Sequence, residues 1–270
     1  MEFEPDVHAA LWGEEAWLVS NRPSSPSRIA GGGGRTLHDV CPGFPLLVKR
    51  ICARRRLSVQ VHPNDATAKS LGGEPKAEMW CMLNDGGIYA GLKPDTTRYD
   101  LAEAVASGRF EDLLVRHDTK KGDAYFIPGG LVHAIGEGSL LYEVQQSSNT
   151  TYRLYDWGRV NDDGKPRELH VEKGLSAINY ALPVPEPLDE VDCPYFSFGK
   201  LDICGSISFD PQDDYIVLFV ADGALAVNEE ALSCSDSALV PPGVPFKLSA
   251  GNAKVFVTRS KRQLVVDEKR

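Results

Sequence analysis

The hydrophobic positions of the chain fall in short runs separated by glycine, proline and asparagine, a pattern typical of a β-rich protein with many turns. Within residues 57–63 apolar and polar positions alternate with a period of two, so Gln60 and His62 point to one face of the predicted strand. A second strand is predicted farther along the chain, and it places Lys76 and Glu78 on one face in the same way. An amide oxygen and an imidazole two residues apart suit metal binding from one strand.

Residues 122–136 are predicted to form a β-hairpin with a histidine beside its turn. A short apolar strand ends at Ile127, the turn runs from Pro128 to Gly130, and the second strand carries His133. Small residues next to the imidazole leave room for a ligand. A lone histidine is more often a core residue with one hydrogen bond, so its role depends on which other residues lie nearby.

The chain is predicted to contain one helical region and two domains. The clearest helical spacing covers residues 96–115, with a break near Gly108. The composition then changes at a proline-rich segment, residues 183–187, which is predicted to be a linker. We therefore expect a domain at residues 1–182 that carries the metal-binding positions, and a smaller β-domain at residues 183–270.

The C-terminal region contains a weak echo of the predicted hairpin. Residues 236–246 resemble residues 123–133, and Phe246 stands at the position of His133. The echo indicates that the second domain has a related build but lacks metal ligands.

Composition and charge narrow the possible function classes. The chain has 270 residues, 42% hydrophobic and 25% charged, which is ordinary for a globular protein with a sizeable core. The formal net charge of -9 and the isoelectric point of about 5.2 argue against broad nucleic-acid binding. No apolar run approaches the roughly 18 residues needed to span a membrane. The six cysteines are scattered without a C-x-x-C pair, and no export signal is recognised, so we expect reduced thiols in a cytoplasmic protein.

Four of the side chains on these strands make a candidate metal site: Gln60, His62, Glu78 and His133. Two imidazoles and a carboxylate are donors that suit Zn²⁺, with Fe²⁺ or Mn²⁺ as alternatives. Glutamine is a less common ligand that would add an oxygen and leave room for water or substrate. Donors spread over several strands are typical of a barrel mouth rather than of a structural cysteine site.

Longer motifs give the chain a family resemblance. The pattern Gly122-x5-Pro128-x-Gly130-x2-His133 fits the second cupin motif, although Glu137 stands where an asparagine often follows. More specifically, the chain resembles class I mannose-6-phosphate isomerase in its short bacterial form, over about residues 10–180. The matching segments are Gly13–Trp17, Phe44–Lys49, Leu57–Pro63, Pro75–Trp80, Ile127–Ala134, Gln145–Asp156 and Pro166–His170.

The resemblance implies both a fold and a cofactor. The implied fold is mainly β, a cupin-type jelly-roll β-barrel with a small helical insertion, followed by a second, smaller β-domain. The implied cofactor is one Zn²⁺ per chain, bound by Gln60, His62, Glu78 and His133.

The resemblance also implies roles for residues around the metal. Lys76 and Arg153 would be catalytic residues, Arg159 would contact the substrate phosphate, and Ser58 would be a further phosphate contact. Arginine suits a phosphate because its planar fork binds two oxygens. A lysine beside the metal suits developing negative charge or proton traffic during ring opening. The base that takes the carbon-bound proton stays open among metal-bound water, a histidine and Glu143.

The implied activity is the interconversion of D-mannose 6-phosphate and D-fructose 6-phosphate through an enediol. The expected partner is therefore a small phosphosugar, with no nucleic acid and no membrane, and the protein is expected to be a monomer or homodimer. Two departures from the family pattern are the compressed region before Gly13 and the short C-terminal domain. They leave two alternatives open, a cupin that acts on a different phosphosugar and a cupin that binds a sugar without turnover.

Overall fold

A computed structural model describes residues 1–161 and 163–261. Its helices are α1 (Leu37–Val40), α2 (Asp65–Leu71), α3 (Arg98–Ser107) and α4 (Val171–Ala177), and a 3₁₀ helix spans Phe110–Leu113. Its strands are β1 (Phe3–Glu4), β2 (Asp6–Ala10), β3 (Gly13–Arg22), β4 (Ser25–Pro26), β5 (Arg28–Ile29), β6 (Leu46–Ala53), β7 (Val59–Val61), β8 (Glu78–Met82), β9 (Gly86–Leu92), β10 (Leu114–Thr119), β11 (Ala124–Ile127), β12 (His133–Ile135), β13 (Leu140–Gln146), β14 (Tyr152–Tyr155), β15 (Val191–Asp192), β16 (Phe196–Phe209), β17 (Ile216–Val227), β18 (Glu230–Ser233), β19 (Ser237–Val240) and β20 (Phe246–Ser260).

The chain divides into two compact units, and each is made of more than one segment. The barrel unit comprises Val7–Trp17 and Val48–Leu188. The C-terminal unit comprises Met1–Asp6, Leu18–Leu47 and the described chain from Asp189 onward. The domain limits expected from the sequence stay a prediction.

Two antiparallel sheets enclose the core of the barrel unit. One has the strand order β10-β9-β12-β7-β14, and the other has the order β11-β8-β13-β6-β3-β2. Buried side chains from both sheets, among them Trp80 of β8 and Ile88 of β9, belong to one hydrophobic cluster. A single cluster joins the two inner faces, so the sheets pack face to face, in the double-sheet arrangement of a jelly roll.

Helices cover the outer face of the five-stranded sheet. A second hydrophobic cluster joins Val59 of β7 and Leu154 of β14 to Leu101 of α3 and Leu175 of α4. Helix α3 is capped by Gly108, whose φ of 71° is left-handed, at the position of the predicted break. The predicted fold class, mainly β with a small helical insertion and a second β-rich unit, is confirmed. None of the described helices has the length and apolar character that a membrane crossing requires.

The segment from β11 to β12 is not the hairpin that the sequence predicts. Strand β11 pairs with β8 in one sheet, whereas β12 pairs with β7 and β9 in the other. The turn at Pro128 to Gly130 therefore carries the chain between the two sheets. A Cβ on Gly129 would lie 2.8 Å from the Pro63 carbonyl oxygen, so only glycine fits this close approach. The hairpin prediction is wrong because a local pattern predicts strands and turns but not their partners.

Three long strands, β16, β17 and β20, form the centre of the sheet in the C-terminal unit. The strand order is β15-β16-β20-β17-β18, and β19 also pairs with β17. The echo in the sequence corresponds to a shared order of elements. A turn separates β19 from β20, which begins at Phe246, just as a turn separates β11 from β12, which begins at His133.

Candidate active site

Three buried side chains of the barrel unit meet in a cluster that could hold a metal ion. One ligand atom each of His62, Glu78 and His133 lies within 4.8 Å of the others. His62 directly follows β7, His133 begins β12, and Glu78 begins β8 in the opposite sheet. The cluster is therefore made where the two sheets face each other inside the barrel.

The two imidazoles are oriented by the main chain. The Nδ1 atom of His62 lies 2.8 Å from the Thr150 carbonyl oxygen, and Nδ1 of His133 lies 2.8 Å from the Leu131 carbonyl oxygen. Because a carbonyl only accepts, each Nδ1 carries the proton and each Nε2 presents a lone pair to the cluster. The Nε2 atoms lie 3.4 Å and 3.3 Å from the Glu78 carboxylate oxygens.

Both histidines are neutral, which is the form that binds metals. Burial lowers the pKa of the His62 imidazole to about 3, and the neighbouring Lys76 ammonium acts in the same direction. Burial also lowers the pKa of His133, against the opposing effect of Glu78.

Glu78 is a fully buried carboxylate. Burial alone would raise its pKa, but the Lys76 ammonium holds the pKa well below the usual value. The Lys76 Nζ atom lies 2.7 Å from one carboxylate oxygen, in an ion pair that lacks hydrogen-bond geometry. Within the described chain neither oxygen accepts a hydrogen bond. Lys76 supplies one counter-charge, but the hydrogen-bonding capacity of both carboxylate oxygens stays unused among the described residues, which fits a bound cation.

Gln60, the fourth predicted ligand, is next to this cluster. It pairs with His133 across β7 and β12, and its Nε2 lies 3.3 Å from the His133 Nε2. Amide nitrogen and oxygen are assigned from the hydrogen-bond network, and a flip of the amide directs the oxygen to the cluster. The four residues thus offer two nitrogen and two oxygen donors, a set that fits zinc. Their roles as ligands stay a prediction.

A second buried charge network adjoins the cluster. The Lys49 Nζ atom lies 2.9 Å from a Glu15 carboxylate oxygen and 3.3 Å from a Glu143 oxygen. The Trp80 indole N–H donates to the other Glu143 oxygen at 3.1 Å. Burial would lower the pKa of Lys49, but the two carboxylates raise it, whereas burial raises the pKa of Glu143. Neither Lys49 nor Glu15 was predicted as a site residue. The signal for Lys49 was its position inside an apolar strand.

A cavity of about 440 Å³ is lined by the second network, and the metal cluster meets it through Gln60 and Lys76. Its wall includes the predicted site residues Ser58, Gln60, Lys76 and Arg153, together with Glu143. The volume falls within the range of about 300–1,000 Å³ that is usual for small-molecule pockets.

One end of the cavity is basic. The Arg153 guanidinium donates to the Ser58 hydroxyl at 3.3 Å and to the Glu168 carbonyl at 2.9 Å. Arg167, which the sequence analysis missed, also lines the cavity and binds Asp156 with two hydrogen bonds of 2.7 Å and 2.6 Å. Burial lowers the pKa of Arg153, and the positive charge of Arg167 adds to this effect.

Arg159, the predicted phosphate contact, is placed differently. All three of its guanidinium nitrogens donate to protein oxygens, two on Asp156 and one on the Arg56 backbone. It is not part of the cavity wall, which holds Arg167 instead. The signal for Arg167 was present in the segment from Pro166 to His170, which is one of the matching motifs.

The chain is similar in sequence to bacterial proteins described as mannose-6-phosphate isomerases. The chain is 38% identical over 198 residues to "Mannose-6-phosphate isomerase ManA" of Bacillus subtilis (strain 168), a match that covers 67% of this chain and 62% of ManA. It is 33% identical over 246 residues to "Probable mannose-6-phosphate isomerase GmuF" of the same organism, covering 78% of this chain and 76% of GmuF. No family model matches the chain.

A solved structure has the same fold. The crystal structure of the mannose 6-phosphate isomerase from Bacillus subtilis superposes with a TM-score of 0.83 at 27% identity. The superposition covers 95% of this chain and 98% of that one.

Proposed function

Because the chain belongs to the mannose-6-phosphate isomerase family, we propose that it is a zinc-dependent isomerase that interconverts D-mannose 6-phosphate and D-fructose 6-phosphate. The observation that carries the proposal is the buried, ionised Glu78 carboxylate, which accepts no hydrogen bond within the described chain and faces two neutral imidazoles. His62, Glu78, His133 and Gln60 would hold the ion. When bound, zinc supplies Lewis-acid stabilisation of the negative charge that develops on the sugar oxygens.

Lys76 acts on the same sugar oxygens. Its ammonium lines the cavity and lies 3.1 Å from the His62 Nε2 and 2.7 Å from a Glu78 oxygen. A positive charge at the cavity wall favours the oxyanion that forms during ring opening and enediol formation. Its three N–H groups can also return a proton to a sugar oxygen.

Glu143 is our candidate for the base that moves the carbon-bound proton. The histidines are unsuitable, because Nδ1 of each binds a backbone carbonyl and Nε2 of each faces Glu78. Glu143 lines the cavity, and burial raises its pKa, which makes the carboxylate a stronger base. It takes the proton from C2 of mannose 6-phosphate while O1 gains a proton from Lys76, which gives the enediol. O2 then returns a proton to Lys76 as Glu143 delivers its proton to C1, which forms the ketose.

The basic end of the cavity would receive the phosphate. Arg153 and Arg167 bring two positive charges to the wall there, and Asp156, which also pairs with Arg159, offsets only part of the Arg167 charge. Ser58, predicted as a phosphate contact, also lies at this end and accepts a hydrogen bond from Arg153. An anionic group would balance the remaining charge. The sequence predicts Arg159 as the phosphate contact. Measuring KM for the Arg159→Met and Arg167→Met variants decides between the two residues.

The proposed function is tested by measuring fructose 6-phosphate formation from mannose 6-phosphate, with the metal content determined on the same sample. Chelation is expected to abolish turnover, and added Zn²⁺ to restore it. His133→Ala is expected to lose both bound metal and turnover. Turnover that survives complete metal removal would refute the zinc mechanism. If the zinc-loaded protein turns over another phosphosugar but not mannose 6-phosphate, the substrate assignment is wrong, and binding without turnover of either would indicate a sugar-binding protein.

A further inference from the structure

The C-terminal unit contains a cavity of its own. Its volume is about 460 Å³, similar to the 440 Å³ of the candidate active site. The wall is built from the three long strands β16, β17 and β20 together with β15. It includes Phe246, the residue that stands in the sequence echo where the barrel unit has His133.

Gly199 leaves open space on the inner face of β16. Gly199 of β16, Val257 of β20 and Leu218 of β17 are direct cross-strand partners, so they share one face of the sheet. A Cβ added to Gly199 would meet no other atom within 4 Å, and the backbone there has no positive φ. A glycine inside a strand, with open space above it, is typical of a place where a ligand approaches the sheet.

One wall of the cavity is aromatic. The rings of Phe209 and Phe246 are nearly parallel, at 8° with centroids 4.6 Å apart. Phe246 is buried, as are Leu218 and Leu248, which also line the cavity. This wall therefore offers a flat apolar surface to a bound molecule.

A positive charge lies on the same inner face. Arg259 of the central strand β20 is the cross-strand partner of Ser197 and Ile216, one row beyond Gly199. Its guanidinium donates to the Gln212 amide oxygen at 2.7 Å, and among the described residues it forms no ion pair. Of the acidic residues in the wall, Glu190 and Asp192 are both exposed, and Asp192 pairs with Lys261. The neutral partner leaves the charge of Arg259 available to an anion.

We propose that this cavity is a binding site for a small amphipathic anion. The apolar, preferably aromatic, body of the ligand packs against Phe209 and Phe246 in the space above Gly199. Its single carboxylate, sulfonate or phosphate group binds Arg259. The inference rests on the C-terminal unit alone and does not depend on the function proposed for the barrel unit.

The test uses 8-anilinonaphthalene-1-sulfonate, a fluorescent aromatic anion, titrated into the full-length protein and its variants. We expect saturable binding at one site per chain. Gly199→Leu fills the cavity and is expected to weaken binding about tenfold or more. Gly251→Leu is the matched control, because Gly251 lies in β20 but outside the cavity wall, with equally open space and no positive φ. It is expected to leave binding unchanged.

A second variant separates the anionic contact from the apolar one. Arg259→Gln is expected to weaken binding of the sulfonate about tenfold and to leave binding of the uncharged N-phenyl-1-naphthylamine unchanged. Thermal unfolding followed by circular dichroism establishes that each variant is folded, and Gly199→Ala replaces Gly199→Leu if the latter does not fold. Absence of saturable binding, equal losses in Gly199→Leu and Gly251→Leu, or equal losses of both probes in Arg259→Gln would overturn the proposal.

Discussion

Replacing Lys49 by methionine removes the cation that joins two buried carboxylates of the barrel unit. The Lys49 side chain is 9% exposed, and its partners Glu15 and Glu143 are 24% and 4% exposed. Without it, the Glu143 carboxylate keeps only the Trp80 indole as a close polar partner among its described contacts. Breaking a buried ion pair from one side costs about 3–5 kcal/mol. For a chain of this size the melting temperature is expected to fall by about 6–20 °C.

Tryptophan fluorescence measures this loss in the barrel unit. All four tryptophans, Trp12, Trp17, Trp80 and Trp157, belong to that unit, so their signal follows its unfolding. Urea titrations at pH 7 of the wild type and Lys49→Met give the difference in free energy of unfolding.

Two controls decide whether the buried charge is the cause. Arg54 pairs with Glu14 at 3.2 Å, but its side chain is 72% exposed, so Arg54→Met is expected to cost no more than about 1 kcal/mol. Combining Lys49→Met with Glu143→Gln removes the unpaired charge and is expected to recover part of the loss. Equal losses in Arg54→Met and Lys49→Met, or no recovery in the combined variant, would refute the reasoning.

The pH dependence of Lys49→Met has a defined sign. Burial already raises the pKa of Glu143 in the folded protein, and Lys49 is the first of the charges that oppose this rise. Without Lys49 the folded protein favours the protonated carboxyl more strongly. Stability is then lost as the pH rises from the unfolded pKa of about 4.3 through the raised folded pKa. The loss relative to the wild type should therefore be larger at pH 8 than at pH 5.

Three further predictions concern the candidate active site. Glu143→Gln should lower kcat by about 10²–10⁴-fold with zinc content unchanged. Exchange of the C2 proton with D₂O, followed by NMR, should stop in this variant, and continued exchange would rule out Glu143 as the base. Arg167→Met should raise KM for mannose 6-phosphate about tenfold with a smaller effect on kcat, and more than Arg159→Met does, whereas the reverse order would favour Arg159 as the phosphate contact. Gly129→Ala should reduce zinc per chain and lower the free energy of unfolding by about 1–3 kcal/mol in urea titrations. The reason is that the added Cβ would lie 2.8 Å from backbone atoms. If zinc content and stability are both unchanged, the turn tolerates a side chain.

The residues that the sequence could predict are those carried by local patterns. Alternation placed Gln60 beside His62 on one strand face, and the motif around the turn identified His133. Local spacing does not depend on which strands pair, so these candidate ligands could be predicted without knowing the sheet topology. The pairing of β11 and β12 with strands of different sheets is a property of the whole barrel and leaves no local signal.

The site residues that could not be predicted from the sequence are those whose role depends on contacts with distant parts of the chain. Lys49 lies in β6, which pairs with β3 and β13. Its partners Glu15 and Glu143 lie in those two strands, far from it in sequence, so the ion pairs cannot be predicted locally. Arg159 and Arg167 both bind Asp156, and only the three-dimensional arrangement distinguishes the one in the cavity wall. The grouping of residues 18–47 with the C-terminal unit is likewise a long-range property.

The two imidazoles of the metal cluster are fixed by main-chain atoms rather than by side chains. The carbonyls of Thr150 and Leu131 do not change when the side chains at those positions change. The orientation of both rings therefore does not depend on the side chains at these two positions, whereas an insertion or deletion nearby would turn a ring away. Among relatives, we expect the length of these two loops to be kept more strictly than their composition, and an alignment that counts gaps there would reveal it.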